Sequence, residues 1–154
     1  TLLWNGEAKP WDSDSVRGQC HYLGHHNAVK GVLSVRENLS LWSEIISGKV
    51  DESALAVALQ TFELDRLAEL PTRFLSAGQL RRLALARLLA SPAALWILDE
   101  PATALDTNNE AALQAAINAH TVAGGMVIMA THEVLLEEAD VLNMSVFSGT
   151  KVSV

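Results

Sequence analysis

The chain has 154 residues, of which 49% are apolar and 19% charged, and its net charge is −7. This composition is too apolar and too weakly charged for a disordered or fibrous sequence, and it predicts a folded domain with a sizeable core. The acidic balance argues against a nucleic-acid partner, and no apolar run approaches the roughly 20 residues that cross a bilayer.

The first 18 residues predict the end of a strand and a hairpin. A short apolar run, Leu2 to Trp4, precedes the turn-forming pair Asn5-Gly6. The chain starts at Thr1 without an initiator methionine, and we expect a truncated amino terminus. The single cysteine, Cys20, cannot form an internal disulfide and favours a reducing compartment.

A short strand and two helices are predicted next. Residues 20–23 form the strand, and residues 24–27 form a polar loop at its carboxyl end. Ser34 and Glu37 match a capping box that opens the first helix, and the second helix extends over about residues 51–62. We expect residues 34–75 to form a helical subdomain.

The middle of the chain predicts one helix and two further strands. Ser76 and Gln79 match a second capping box, which precedes a helix over residues 80–90 that ends before Pro92. Residues 95–98 and 126–130 are continuous apolar runs of strand length. Such runs are typical of parallel strands that are buried on both faces.

The remaining segments predict two helices and a terminal hairpin. Asp106 caps a helix that extends to about Val122 and that ends at the pair Gly124-Gly125. Residues 133–139 predict a short helix. Residues 144–147 and 151–154 predict the two strands of the hairpin.

Three of the predicted strands are followed by polar residues. His25 follows the first of these strands, Asp99 and Glu100 follow the second, and Thr131 and His132 follow the third. Strands that alternate with long helices imply an α/β fold with a mostly parallel sheet and helices on both faces. Ligands bind such sheets at the carboxyl ends of the strands, so we expect these three ends to meet at one edge.

Two motifs near this edge carry chemistry. An apolar strand that ends in two carboxylates, here Asp99 and Glu100, can hold Mg²⁺ with the first and place the second beside an attacking water. Leu75-Ser76-Ala77-Gly78-Gln79 differs in one residue from Leu-Ser-Gly-Gly-Gln and opens a helix whose free N–H groups favour an anion. Taken alone, the first motif is more often a solvated strand end, and the second more often an ordinary capping box.

The order of these motifs resembles that of the ATP-binding cassette (ABC) ATPases, whose fold is of the P-loop NTPase kind. The resemblance implies that Glu100 is the general base, that Asp99 holds Mg²⁺ and that His132 is the switch histidine beside the γ-phosphate. It also implies a group of residues that contact an ATP held by a second subunit, namely Ser76, Ala77, Gly78, Gln79 and, joining the two sites, Asp106.

The position of Ser76 bears on that second subunit. The helix that Ser76 opens leads through Pro92 into the strand that ends at Asp99. We expect Ser76 to point away from Asp99 and Glu100, so that only a second chain in a head-to-tail dimer brings the two motifs together.

His25 departs from the family, which has a glutamine in this loop. Either the loop has lost its usual contact with Mg²⁺ and water, or the imidazole replaces it. Together with His21 and His26, His25 also raises the alternative of a metal or haem site. Within the family, five segments resemble the ATP-binding subunits of cytochrome c maturation transporters, often called haem exporters: residues 22–25, 36–39, 75–79, 81–88 and 95–101.

The sequence contains no Gly-x-x-x-x-Gly-Lys-Ser/Thr phosphate loop. The resemblance implies that this loop precedes Thr1, and we expect the 154 residues by themselves to be an inactive part of one ABC ATPase domain. It implies two partners, a second ABC subunit and an integral membrane permease at the cytoplasmic face of the bacterial inner membrane. The alternatives are an ABC ATPase of chromosome maintenance or translation, and a non-catalytic domain that keeps the cassette fold.

Overall fold

The computed structural model describes residues 2–4, 6–10, 16, 18–132 and 139–147. Strands β1 (Leu2–Trp4) and β2 (Glu7–Lys9) form an antiparallel hairpin in which Trp4 pairs with Glu7. Gly6, in the connecting turn, has a φ of +79°, a conformation that glycine adopts without steric cost. The predicted amino-terminal hairpin is confirmed.

A second sheet consists of three parallel strands, β3 (Cys20–Leu23), β4 (Leu95–Asp99) and β5 (Met126–Ala130), with β4 in the centre. Leu23 pairs with Leu98, which pairs with Met129 on the other side. Because the strands are parallel and in register, their carboxyl ends lie at one edge of the sheet. The predicted common edge is therefore confirmed.

Four α-helices lie wholly within the described residues, and each begins at a side chain that caps it. Two helices precede β4 within the predicted helical region, and 3₁₀ turns Asp65–Leu67 and Thr72–Phe74 follow them. The helices are α1 (Val35–Ser47), α2 (Glu52–Thr61), α3 (Ala77–Ala90) and α4 (Thr107–Val122). Their caps are Ser34, Asp51, Ser76 and Asp106, in each case accepting hydrogen bonds from main-chain N–H groups of the first turn.

The hydrophobic core lies between one face of the three-stranded sheet and the helices. Leu23, Trp96 and Leu98 point to this face and are almost completely buried, together with Leu85 of α3 and Ile117 of α4. None of the described helices is long and apolar enough to cross a membrane.

The opposite face of the sheet is exposed in the described part of the chain. Tyr22, Met126 and Ile128 are 63%, 52% and 61% exposed. The α/β class and the parallel sheet with its helices are confirmed. The expectation that β5 is buried on both faces is wrong for the described residues, because successive strand side chains point to opposite faces and the face that carries Met126 and Ile128 is open to solvent.

The described carboxyl-terminal residues form a turn where a strand was predicted. Residues 144–147 were predicted as a strand, and that prediction is wrong: Met144–Phe147 form a 3₁₀ turn in which the Val146 N–H donates to the Asn143 carbonyl. A local turn of this kind satisfies main-chain groups without a neighbouring strand. The predicted short helix falls almost wholly on residues 133–138, and the second hairpin strand on residues 151–154, which lie outside the described residues.

Candidate functional site

Two histidine–carboxylate pairs occupy the carboxyl edge of the sheet. His25 Nε2 lies 3.4 Å from Asp99 Oδ2, and His132 Nε2 lies 3.6 Å from Glu100 Oε1. Each histidine follows an outer strand and each carboxylate follows or ends the central one, so the parallel sheet itself brings the pairs together. Four residues that the sequence placed at this edge are therefore neighbours in space.

The main chain of Glu100 has an unusual conformation. Its φ is +46°, in the left-handed region that residues with a side chain rarely adopt. The Glu100 N–H donates to the Ala130 carbonyl at 2.9 Å, and its own carbonyl accepts from the Thr103 N–H at 3.2 Å. These bonds turn the chain away from β4 directly after Asp99, and the Glu100 side chain then lies beside His132.

Arg81 lies beneath this edge and is not among the site residues that the sequence predicts. Its guanidinium is buried and donates to the carbonyls of Gly24 (2.9 Å), Asp99 (3.0 Å) and Glu100 (2.6 Å). Burial lowers the pKa of Arg81, and the charges of Asp99 and Glu100 oppose that shift. A signal was present in the sequence, because Arg81 shares a helix face with the apolar Leu85.

The Ser76 motif forms the capping box that the sequence predicts. The Gln79 N–H donates to Ser76 Oγ at 3.2 Å, and the Ser76 N–H donates to Gln79 Oε1 at 2.8 Å. Ser76 and Ala77 are exposed. A Cβ added to Gly78 would lie 3.3 Å from the Ala104 carbonyl oxygen, so the first turn of α3 packs closely against the loop that follows β4.

The expectation that Ser76 points away from the Asp99–Glu100 end of β4 is wrong. Arg81, in the amino-terminal half of α3, contacts the main chain at that end of β4. The other end of α3 is near the start of the sheet, where the Ser91 carbonyl lies 3.0 Å from His21 Nε2. The chain reverses direction in the short loop between α3 and β4, so that the helix runs antiparallel to the strand. The amino end of α3 therefore lies at the carboxyl edge of the sheet.

Asp106 is engaged as a helix cap. Its Oδ1 accepts from both the main-chain N–H and the side-chain amide of Asn109, each at 2.9 Å. The main-chain bond from Asn109 makes the largest contribution to holding the pKa of Asp106 below its usual value, and the carboxyl stays ionised.

Two buried basic side chains lie on the helix-covered face of the sheet. Arg87 donates to the Tyr22 carbonyl and stacks over the Trp42 ring at 4.7 Å. Burial lowers the pKa of Arg87 to about 10, and the charge of Arg81 adds to the shift. Burial also lowers the pKa of His21, opposed by its hydrogen bond to the Ser91 carbonyl.

The alternative of a metal or haem site at the histidines gains no support. His21 lies on the buried face of β3, whereas His25 and His26 belong to the exposed loop beyond the strand. The described residues contain no group of three or more His, Cys, Asp or Glu side chains arranged to hold a metal ion.

The chain is similar to ATP-binding proteins of ABC transporters, both by family pattern and by individual relatives. The sequence pattern of the ABC transporter family matches residues 1–103. The cytochrome c biogenesis ATP-binding export protein CcmA of Paramagnetospirillum magneticum is 50% identical over 133 residues, which is 85% of this chain and 61% of that protein. CcmA of Rhodospirillum rubrum is 45% identical over 148 residues, which is 96% of this chain and 63% of that protein.

A solved structure has the same fold. A putative ABC transporter ATP-binding protein from Pyrococcus furiosus superposes with a TM-score of 0.72 at 26% sequence identity, over 90% of this chain and 66% of that one. The resemblance to ABC ATPases, and within them to cytochrome c maturation subunits, is confirmed. The chain spans about three fifths of the length of the two CcmA proteins.

Proposed function

The chain belongs to the ABC transporter family, and on that premise we propose that its carboxyl-edge site hydrolyses ATP to drive a transporter. The observation that carries the proposal is the placement of Glu100 beside His132, and of Asp99 beside His25, at the ends of three parallel strands. Carboxylates and imidazoles are the groups that activate and orient water for attack on a γ-phosphate.

In this proposal Glu100 is the general base. Its carboxylate is one quarter exposed, so a water can reach it while the protein surrounds the rest. His132 orients that water and contacts the γ-phosphate. His25, in the loop where the family has glutamine, stands beside the same phosphate and contacts Asp99 instead of leaving it open to solvent.

The residues present fit a magnesium–nucleotide complex. Mg²⁺ at nucleotide sites is usually held by one or two carboxylates, with waters and phosphate oxygens completing its coordination. Asp99 offers one such carboxylate, about one third exposed, at the strand end. It would hold Mg²⁺ through water, and the ion would neutralise the developing phosphate charge.

The proposal includes a dimer. Ser76, Ala77, Gly78 and Gln79 would bind the γ-phosphate of an ATP held by a second subunit, and Asp106 would connect the two sites. The family resemblance is the ground for action in trans, because α3 begins at the same edge of the sheet as Asp99. The exposed Ser76 and Ala77 at that end would favour an anion.

The wider role follows from the relatives. The CcmA proteins are named as ATP-binding export proteins of cytochrome c biogenesis, and we extend the proposal to haem export for that pathway. The second partner would be an integral membrane permease that contacts the helical region within residues 25–75, with the ATPase peripheral at the cytoplasmic face of the bacterial inner membrane.

The test is Glu100→Gln in the intact protein. Loss of the general base lowers the ATP hydrolysis rate by about 10²–10⁴-fold, whereas ATP binding persists because the amide keeps the side chain's size and polarity. The matched control is Glu7→Gln, an exposed glutamate of β2 outside the permease-contacting region, which keeps the normal rate. Normal turnover in Glu100→Gln would contradict the proposed role.

A further inference from the structure

We propose that Arg81 is a positioning residue for hydrolysis, one that holds Glu100 and the His25 loop in their working arrangement. This inference rests on the proposed ATPase function and concerns a residue outside the predicted site. Arg81 touches neither carboxylate directly. It acts through the main chain of the loops that carry the two histidine–carboxylate pairs.

The guanidinium joins three segments of the chain. Arg81 itself belongs to α3. Its Nη1 donates to the Gly24 carbonyl at 2.9 Å and to Asn27 Oδ1 at 3.4 Å, two residues of the loop that contains His25. Nη2 donates to the carbonyls of Asp99 and Glu100, at 3.0 and 2.6 Å. Nε donates to the Pro101 carbonyl at 3.3 Å. Only the planar fork of arginine presents donors in this many directions, because a lysine carries a single nitrogen.

The contact with Glu100 matters because the main chain there is held in a disfavoured conformation. A φ of +46° at a residue with a side chain persists only where neighbouring groups hold it. The Glu100 carbonyl is fixed by the Arg81 guanidinium and by the Thr103 N–H. Relaxation of this residue would swing its carboxylate away from His132 and from the attacking water, and small misplacements of this kind are costly in rate.

A second arginine of the same helix provides a matched control. Arg87 is as deeply buried as Arg81. Its contacts are the Tyr22 carbonyl, inside β3, and the Trp42 ring, so it reaches none of the loops at the carboxyl edge. Replacing Arg87 removes a buried guanidinium from α3 without releasing Glu100.

The first experiment compares Arg81→Gln, Arg81→Lys and Arg87→Gln in the intact protein by steady-state ATP hydrolysis. Arg81→Gln lowers kcat by about 10- to 100-fold with KM for ATP within about twofold of the parent, because geometry and not nucleotide binding is lost. Arg81→Lys recovers part of the rate, and Arg87→Gln keeps kcat per folded molecule. An equal loss of kcat in Arg81→Gln and Arg87→Gln would overturn the inference.

The second experiment separates this inference from the proposed function. In single-turnover assays, Arg81→Gln adds little to the defect of Glu100→Gln if Arg81 acts through Glu100, and multiplicative losses would overturn the inference. Normal turnover in Glu100→Gln alone would instead contradict the proposed function.

A third measurement needs no catalysis. Hydrogen exchange at the Glu100 and Thr103 amides is faster in Arg81→Gln, or in Arg81→Lys if the glutamine variant does not fold, than in Arg87→Gln. Unchanged exchange at these two amides would overturn the positioning role.

Discussion

Asn38 organises the segment that leads from the His25 loop into α1, and its replacement has a predictable cost. The side chain is 1% exposed. Its Nδ2 carries two N–H groups and lies within hydrogen-bond distance of three carbonyls, those of Lys30 (3.1 Å), Leu33 (3.3 Å) and Ser34 (2.9 Å), so one N–H is shared between two of them. Its Oδ1 accepts from the Lys30 N–H at 2.9 Å. Asn38→Ala removes all four bonds at once.

The loss in free energy of unfolding for Asn38→Ala is smaller than the sum of four independent hydrogen bonds. At about 0.5–1.5 kcal/mol each, the bonds would sum to about 2–6 kcal/mol. The three carbonyls keep other donors, however: Thr72 Oγ1 bonds to the Lys30 carbonyl, the Thr72 N–H to the Leu33 carbonyl, and the Asn38 N–H to the Ser34 carbonyl. Only the Lys30 N–H loses its side-chain acceptor, and Lys30 is exposed to water. We therefore expect a loss of about 2–3 kcal/mol.

Asn38→Asp is the informative comparison. The aspartate keeps an acceptor for the Lys30 N–H but turns its second oxygen towards three carbonyls, so one oxygen of a buried carboxylate is left without a donor and faces other acceptors. We expect a larger loss than for alanine, about 3–5 kcal/mol. The assay is urea unfolding of the intact protein, with the m-value unchanged between variants. The control is Asn118→Ala at an exposed position, whose free energy of unfolding stays within about 0.5 kcal/mol of the parent. A milder effect of aspartate than of alanine would refute the assigned direction of these bonds.

Two further predictions concern the dimer and pH. In mixtures of intact subunits that carry Ser76→Arg or Glu100→Gln, one composite site holds both lesions and the other is intact, so ATPase activity rises above that of either variant alone; a flat response at every mixing ratio would count against action in trans. Because burial lowers the pKa of His21 in the folded protein, the unfolded chain binds the proton first as pH falls through about 6.5, and stability decreases from pH 7.5 towards pH 5. The free energy of unfolding, measured from pH 7.5 to pH 5, changes less with pH in His21→Gln than in the parent. It changes as much as in the parent in His26→Gln, whose side chain is exposed. Equal pH dependence in the two variants would exclude His21 as the source.

Features that depend on neighbours along the chain were predictable from the amino-acid order. The helix starts at Ser34, Ser76 and Asp106 were predictable because each cap bonds to a main-chain N–H only three residues later. The strand ends and the order of the motifs were equally legible. Together they predicted the parallel sheet, the edge that holds His25, Asp99, Glu100 and His132, and the family.

Features that depend on contacts between distant segments became visible only in the folded chain. The exposed side of β5 could not be read from its apolar residues, because burial depends on what covers a face and not on hydropathy. The direction of α3 follows from the contacts of Arg81 with the carboxyl end of β4 and of Ser91 with His21. The role of Arg81 was hidden for the same reason: its acceptors, the carbonyls of Gly24 and Glu100, are 57 and 19 residues away in sequence and converge only when the chain folds.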